Sequence, residues 1–323
     1  MNPAFSVIFL TTLIGVGQGL FLALYTARVL VFVGAIALPD SRSFFVLGSA
    51  ISLFFLASGL TASFFHLGHP ERAWRAVMKW RTSWLSREVI VLPVFMLTVF
   101  LYGLMCYLGW QSGSNRIAQG VVETIGALAA VLCIVLFICT GMVYASIRFL
   151  QEWASPLTLI NYFLLGSMSG YTLAAGFSAF LAPHLMRMYA CIAFSLIVIS
   201  FMTRVASLYR NARIRPCSTV QTATGIYHPK VVQKAQGSMG GSFNTRHYFH
   251  GKTRQVIRSV KWIFPVLVFV LPALLLAGSL SDIAHPFLLI VTFVIQYVGL
   301  LAERWFFFAQ ANHPQNLYYQ QVS

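Results

Sequence analysis

The chain has 323 residues, of which 58% are hydrophobic and only 9% charged. An ordinary soluble domain carries roughly a quarter charged residues, so this chain cannot cover its surface with polar groups in water, and lipid is the solvent it suits. Its net charge of +15 does not point to nucleic acid, because the basic residues lie between apolar runs, where they act first as a membrane orientation signal.

Eight apolar runs come close to the roughly 20 residues that a helix needs to cross the hydrocarbon core. The first, residues 5–33, follows a start without a basic stretch and is too long for a signal peptide, so it reads as a retained helix. The second is 43–65. After a short polar loop come the third, 88–110, and the fourth, 121–143. The fifth is 156–181 and the sixth 185–208. A polar segment, 211–261, separates these from the seventh, 262–280, and the eighth, 283–306. Pro93, Pro265 and Pro272 fall inside spans, where neighbouring helices can satisfy the freed carbonyls. The expected fold is all-α, a bundle of eight transmembrane helices forming a single membrane domain over 1–323 with a basic loop at 211–261.

Eight spans put both termini on one side, together with the loops after spans two, four and six. Eighteen of the 22 lysines and arginines fall on that side, and Arg28, Arg42, Arg116 and Arg187 on the other. The positive-inside rule then makes the terminus side cytoplasmic. The 211–261 segment also carries no Asp or Glu.

The five cysteines, Cys106, Cys133, Cys139, Cys191 and Cys217, form no C-x-x-C pair, so neither a zinc nor an iron–sulfur site is indicated. No two histidines stand at matching depth on two helices, so a b-type haem is not expected. Gln18, Glu123, Asn161 and Gln296 read as hydrogen-bonding bridges between helices. Glu303 and Arg304, at the end of the eighth run, read as snorkelling side chains.

The loop after the second span is richer in chemistry. It reads His66-Leu-Gly-His-Pro-Glu-Arg-Ala-Trp-Arg and runs on to Ser83-Trp-Leu-Ser-Arg-Glu88. A basic anchor with an aromatic belt accounts for Arg72, Arg75, Lys79, Arg81, Trp74 and Trp80. It accounts less well for His66 and Glu88, which sit at the ends of apolar spans, where an ionisable group is a functional candidate. Histidine exchanges protons near neutral pH. A His–Glu pair suits a quinone, which moves two protons with two electrons, and both readings stay open on the residues alone. Further on, Gly237-Ser-Met-Gly-Gly-Ser-Phe-Asn-Thr-Arg246 and Phe249-His-Gly251 form a glycine-rich, basic stretch suited to anionic lipid or an acidic protein surface.

These stretches, with the opening Asn2-Pro-Ala-Phe-Ser and Gly15-Val-Gly-Gln-Gly-Leu-Phe, resemble the DmsC family over the whole chain. This family comprises membrane anchors of dimethyl-sulfoxide-reductase-type molybdoenzymes. The resemblance implies a three-subunit complex: a molybdopterin catalytic subunit, a ferredoxin-like iron–sulfur subunit, and an anchor that exchanges electrons with the quinone pool and holds no haem or iron–sulfur cluster. Carried over, the quinone-binding residues are His66, Gly68, Arg72 and Glu88, with Trp74 at an aromatic position. His69 stands where many relatives have arginine. Docking of the iron–sulfur subunit is expected on Arg75, Arg81 and Arg87 and on Gly240, Gly241, Phe243, Asn244, Arg246, Phe249 and His250. Cytoplasm-facing members are anchors of sulfite dehydrogenases in the bacterial inner membrane, which is the leading expectation. The alternatives are a quinol-oxidising anchor of a dimethyl sulfoxide or other S- or N-oxide reductase and, from another class, an eight-span transporter, which would show an internal repeat.

Overall fold

In the computed structural model, described at residues 1–36, 42–110, 116–235, 248–280 and 286–318, the chain is helical and no strand occurs among the described residues. Eight helices are long and apolar enough to cross a membrane. They are Phe5–Phe32, Arg42–Phe64, Trp84–Tyr107, Arg116–Ala145, Pro156–Leu181, Pro183–Ala212, Arg254–Leu280 and Pro286–Ala309.

Several boundaries differ from the expected ones, and caps explain two of them. Ser83 has extended backbone and its hydroxyl accepts from the Ser86 amide, so the third span starts at Trp84 rather than 88. Thr253 caps the Val256 amide, and the seventh span begins at Arg254 rather than 262. Its first turns are basic and its later ones apolar. Between Pro265 and Pro272 this span passes through a π-helical turn, Val266–Val270, as expected where prolines break the regular ladder. The sixth helix runs on to Ala212, so helices take up both ends of the 211–261 segment. Part of what remains forms a short helix, Val220–Thr224, closed by Gly225 at φ 71°.

The first and fifth spans form the buried centre and pack against each other and against the second, fourth, sixth and eighth. In a bilayer the helices gain little from apolar burial against one another, so close approach and hydrogen bonds decide the arrangement. Glycines supply the approach. A Cβ at Gly170 would collide with backbone atoms of Gly19 and Leu20, and one at Gly19 with the Gly166 carbonyl. Hydrogen bonds add to it. Gln18 Nε2 donates to the Cys133 carbonyl at 3.1 Å, the Ser52 hydroxyl to the Gly17 carbonyl at 2.8 Å, and the Thr203 hydroxyl to Asn161 Oδ1 at 2.9 Å. Gln296 Nε2 donates to the Val268 carbonyl beside the π turn at 3.4 Å.

Both ends of the chain meet on one face, where the Met1 amine donates to the Ala311 carbonyl at 2.7 Å. On the same face Arg210 donates to the carbonyls of Gln151 and Ala154, and Asn316 to the carbonyl of Tyr248. An aromatic cluster lies beneath it: Trp153 stacks on Phe307, and Tyr144 stands among Trp153, Tyr162 and Phe308.

Candidate functional site

The His66–Arg87 stretch forms a surface strap between the second and third spans. It contains a 3-10 segment, Pro70–Lys79, with proline at its start and no buried residue. His69 Nδ1 lies 3.0 Å from Glu71 Oε1, and Arg72 Nε 3.6 Å from the same oxygen. Arg72 therefore has Glu71, not Glu88, as its acidic partner. The arginines lie over the tryptophans: Arg75 over Trp74, Arg81 over Trp80, and Arg87 over Trp84 at 4.2 Å. Arg87 also donates to the carbonyls of Trp80 and Arg81, which ties the strap to the start of the third span. His66 and Gly68 stand exposed at the head of the strap, and Trp74 is 63% exposed. Chain crowding one side of the His66 ring removes water from it and holds the imidazole below its usual pKa.

His66 follows directly on Phe65, the last residue of an apolar groove between the first and second spans. This groove, of ≈ 640 Å³, is lined by Ser6, Phe9, Leu13, Phe54, Ala57, Ser58, Thr61, Ala62 and Phe65. It is large enough for a ring and part of an isoprenoid tail, with three hydroxyls among apolar walls, so the residues present fit a quinone.

Glu88 lies one turn inside the third span because of the Ser83 cap. Its Oε1 accepts from the Thr140 hydroxyl of the fourth span at 2.7 Å. Thr140 in turn lines an interior cavity of ≈ 20 Å³ with Thr11, Thr12, Gln18, Tyr162, Ser169 and Arg304. That volume holds a water, not a quinone ring. No hydrogen bond or ion pair among the described residues joins His66 or Arg72 to Glu88. The strap and the carboxyl are thus two separate parts of the expected constellation.

The far wall of the cavity carries charge that sequence reasoning misplaced. Glu303 and Arg304 do not snorkel. Glu303 is fully buried, with Oε1 2.7 Å from Arg204 Nε and Oε2 2.7 Å from Arg304 Nε. Arg304 lies over the rings of Tyr162, at 4.0 Å, and Phe307, and Arg204 over Phe264. The pairing joins residues 99 positions apart, between the sixth and eighth spans. Adjacent charges closing an apolar run look like an interfacial end. The available signal was Arg204, which stands two turns before the sixth helix ends and needs a partner at that depth.

Of the expected docking residues, Arg75, Arg81 and Arg87 lie on the strap, while Gly240, Gly241, Phe243, Asn244 and Arg246 lie outside the described residues. Phe249 is half-buried, with its ring 4.4 Å from that of His250. His250 is not a surface contact. It is 5% exposed, and its Nδ1 accepts from the Lys252 amide at 3.0 Å. Burial, with the charge of the chain's amino terminus, holds its pKa below the usual value. The preceding Tyr248 ring stacks at 3.8 Å on His313 of the C-terminal stretch, which draws this part of the loop inward. Among the described residues no group of three or more His, Cys, Asp or Glu could hold a metal ion.

Comparison with known proteins agrees with this architecture. The family model described as "DMSO reductase anchor subunit (DmsC)" matches residues 1–319. The chain is also 49% identical, over the full length of both proteins, to a subunit of the sulfite dehydrogenase of Allochromatium vinosum.

Proposed function

Because the chain belongs to the DmsC family of membrane anchor subunits, we propose that it couples a sulfite-oxidising complex to the quinone pool. In this reading a molybdopterin subunit oxidises sulfite and an iron–sulfur subunit relays the electrons. The anchor binds quinone in the groove that ends at Phe65, and its own residues handle the protons. A bound quinone supplies the two-electron acceptor. His66, neutral at pH 7, hydrogen-bonds its head or takes a proton at the mouth of the groove. Glu88 exchanges protons with the interior.

The observation that carries the proton role is the partner of Glu88. Glu303 has an arginine on each carboxylate oxygen and is fixed between them. A carboxylate held by a neutral threonine hydroxyl, as Glu88 is, keeps the freedom to gain and lose a proton. The charge distribution supports a bacterial inner-membrane location with both termini and the 211–261 segment in the cytoplasm. Alkaline phosphatase fusions within that segment and after Ser323 test the orientation. Strong activity would place the partner subunits outside and favour a quinol-oxidising reductase anchor instead.

The decisive experiment replaces Glu88 with Gln, which nearly keeps its shape and removes the titrating proton. Proton transfer by a positioned side chain contributes about 10²–10⁴-fold. Quinone-linked sulfite oxidation should fall by about 100-fold in Glu88→Gln membranes, with dye-linked oxidation unchanged. Unchanged quinone-linked turnover removes Glu88 from the mechanism.

A further inference from the structure

The seventh span begins with basic turns and continues apolar, and its first turns carry a feature that the electron-transfer reading does not use. Arg254, Arg258 and Lys261 recur at positions i, i+4 and i+7 of one helix and therefore share a face. Ile257 and Trp262 lie on the same face. Together with Ala309 and Gln310 at the end of the eighth span, they line an open groove of ≈ 520 Å³. None of the residues lining it is acidic. Trp262 is 68% exposed, and below it Val266 and Val270 (44% each) and Leu274 (65%) are also exposed along the same span.

We propose that this groove is a binding site for an anionic phospholipid, with the phosphodiester held by Arg254, Arg258 and Lys261 and an acyl chain lying along Trp262, Val266 and Leu274. Three cations without a neighbouring acid at the membrane boundary fit a phosphate. The tryptophan suits the headgroup level, where its ring is half apolar and half wet. The continuous apolar stripe beneath decides between occupants. A water-soluble subunit could cover the cations but could not follow Val266, Val270 and Leu274 into the hydrocarbon. An amphiphile covers both.

The test uses the assembled complex in a mild detergent, offered phosphatidylglycerol or phosphatidylcholine. Bound lipid is counted by native mass spectrometry. Wild type should retain phosphatidylglycerol selectively. A triple variant, Arg254→Gln with Arg258→Gln and Lys261→Gln, should bind it about 100-fold more weakly, since each cation near an anionic surface contributes about a fivefold gain. A control triple, Arg215→Gln with Lys230→Gln and Lys234→Gln, removes the same charge from exposed positions outside the groove and should bind as wild type does. Equal loss in the control, equal retention of phosphatidylcholine, or competition by millimolar inorganic phosphate that matches the loss in the first triple would each overturn the proposal. So would a first triple that keeps its lipid but sheds the iron–sulfur subunit, because the groove would then be a protein interface.

Discussion

The strap from His66 to Arg87 and the interior around Glu303 use the same side chains, arginine, carboxylate and aromatic ring, in opposite surroundings. On the strap, Arg72 and Glu71 are 58% and 62% exposed and stand 3.6 Å apart. Inside, Arg204 and Arg304 are 2% and 4% exposed and each lies 2.7 Å from Glu303, which is fully buried. The strap pair is screened by water and holds little in place. The interior cluster has lost its hydration, so each charge there depends on its neighbours. Between the two stands Glu88, half-buried, with the neutral Thr140 hydroxyl as its partner.

The largest expected effect comes from unbalancing the interior. Glu303→Ala leaves two arginines without a counter-charge at membrane depth, which costs roughly 3–5 kcal/mol when one partner of a buried pair is removed. The variant should accumulate poorly in membranes and unfold at a markedly lower temperature in detergent, as immunoblotting and thermal unfolding would show. Stability equal to wild type would mean that water reaches the cluster, and the contrast with the strap would disappear.

Thr140→Val should have an intermediate effect. It keeps the side-chain volume and removes the hydroxyl that donates to Glu88 across 2.7 Å. Loss of a part-buried hydrogen bond costs about 0.5–1.5 kcal/mol. Thr140 also lines the interior cavity, so the loss should reach function as well as stability. Quinone-linked activity should drop several-fold and its pH profile should move, with dye-linked activity preserved. If both activities fall in parallel, Thr140 is a packing contact only.

How much of this is legible from residues follows from the range of the interactions. Length and hydropathy are local, so all eight spans can be read directly. Ends depend on caps, and Trp84-Leu-Ser-Arg reads as loop unless the Ser83 hydroxyl is known to close the first turn. Gln18 and Asn161 are recognisable as bridges because a lone amide in an apolar run has few other uses. Arg204 signals that it needs a partner, but that the partner is Glu303 is not readable, because it depends on the packing of the sixth span near the eighth. The central place of the fifth span has a visible trace in Gly166 and Gly170, one turn apart, where a close neighbour leaves no room for a side chain. The groove above Phe65 requires the second span to lie beside the first.

A smaller effect is expected at His66, and it is one of pH. Desolvation places its imidazole pKa below the usual value of 6.5. The sign follows from the neutral form being the proton acceptor. As pH falls, the ring stays neutral past 6.5, and quinone-linked turnover should hold until the lowered pKa is reached and then decline. His66→Gln should remove that acid limb while leaving dye-linked oxidation intact. An acid limb unchanged in the variant assigns it to another group, with Glu88 the next to examine by the same profile.

The smallest expected effect, and the one that probes the comparison most closely, is Glu71→Gln. The change removes the shared acceptor of His69 and Arg72. Both interactions are exposed, so screening and side-chain entropy offset most of the attraction, and the loss should stay within about 1 kcal/mol. The isolated anchor in detergent should therefore unfold at nearly the wild-type temperature, in contrast to Glu303→Ala. The assembled complex gives the sharper reading. If the strap remains at a water-facing surface, Glu71→Gln stays silent there too. If the iron–sulfur subunit settles over it, the same pair becomes desolvated, and the substitution should weaken the complex while the isolated chain is unaffected. A loss confined to the complex would show that the strap acquires its electrostatic weight only on assembly, whereas the Glu303 cluster carries its own within the bundle.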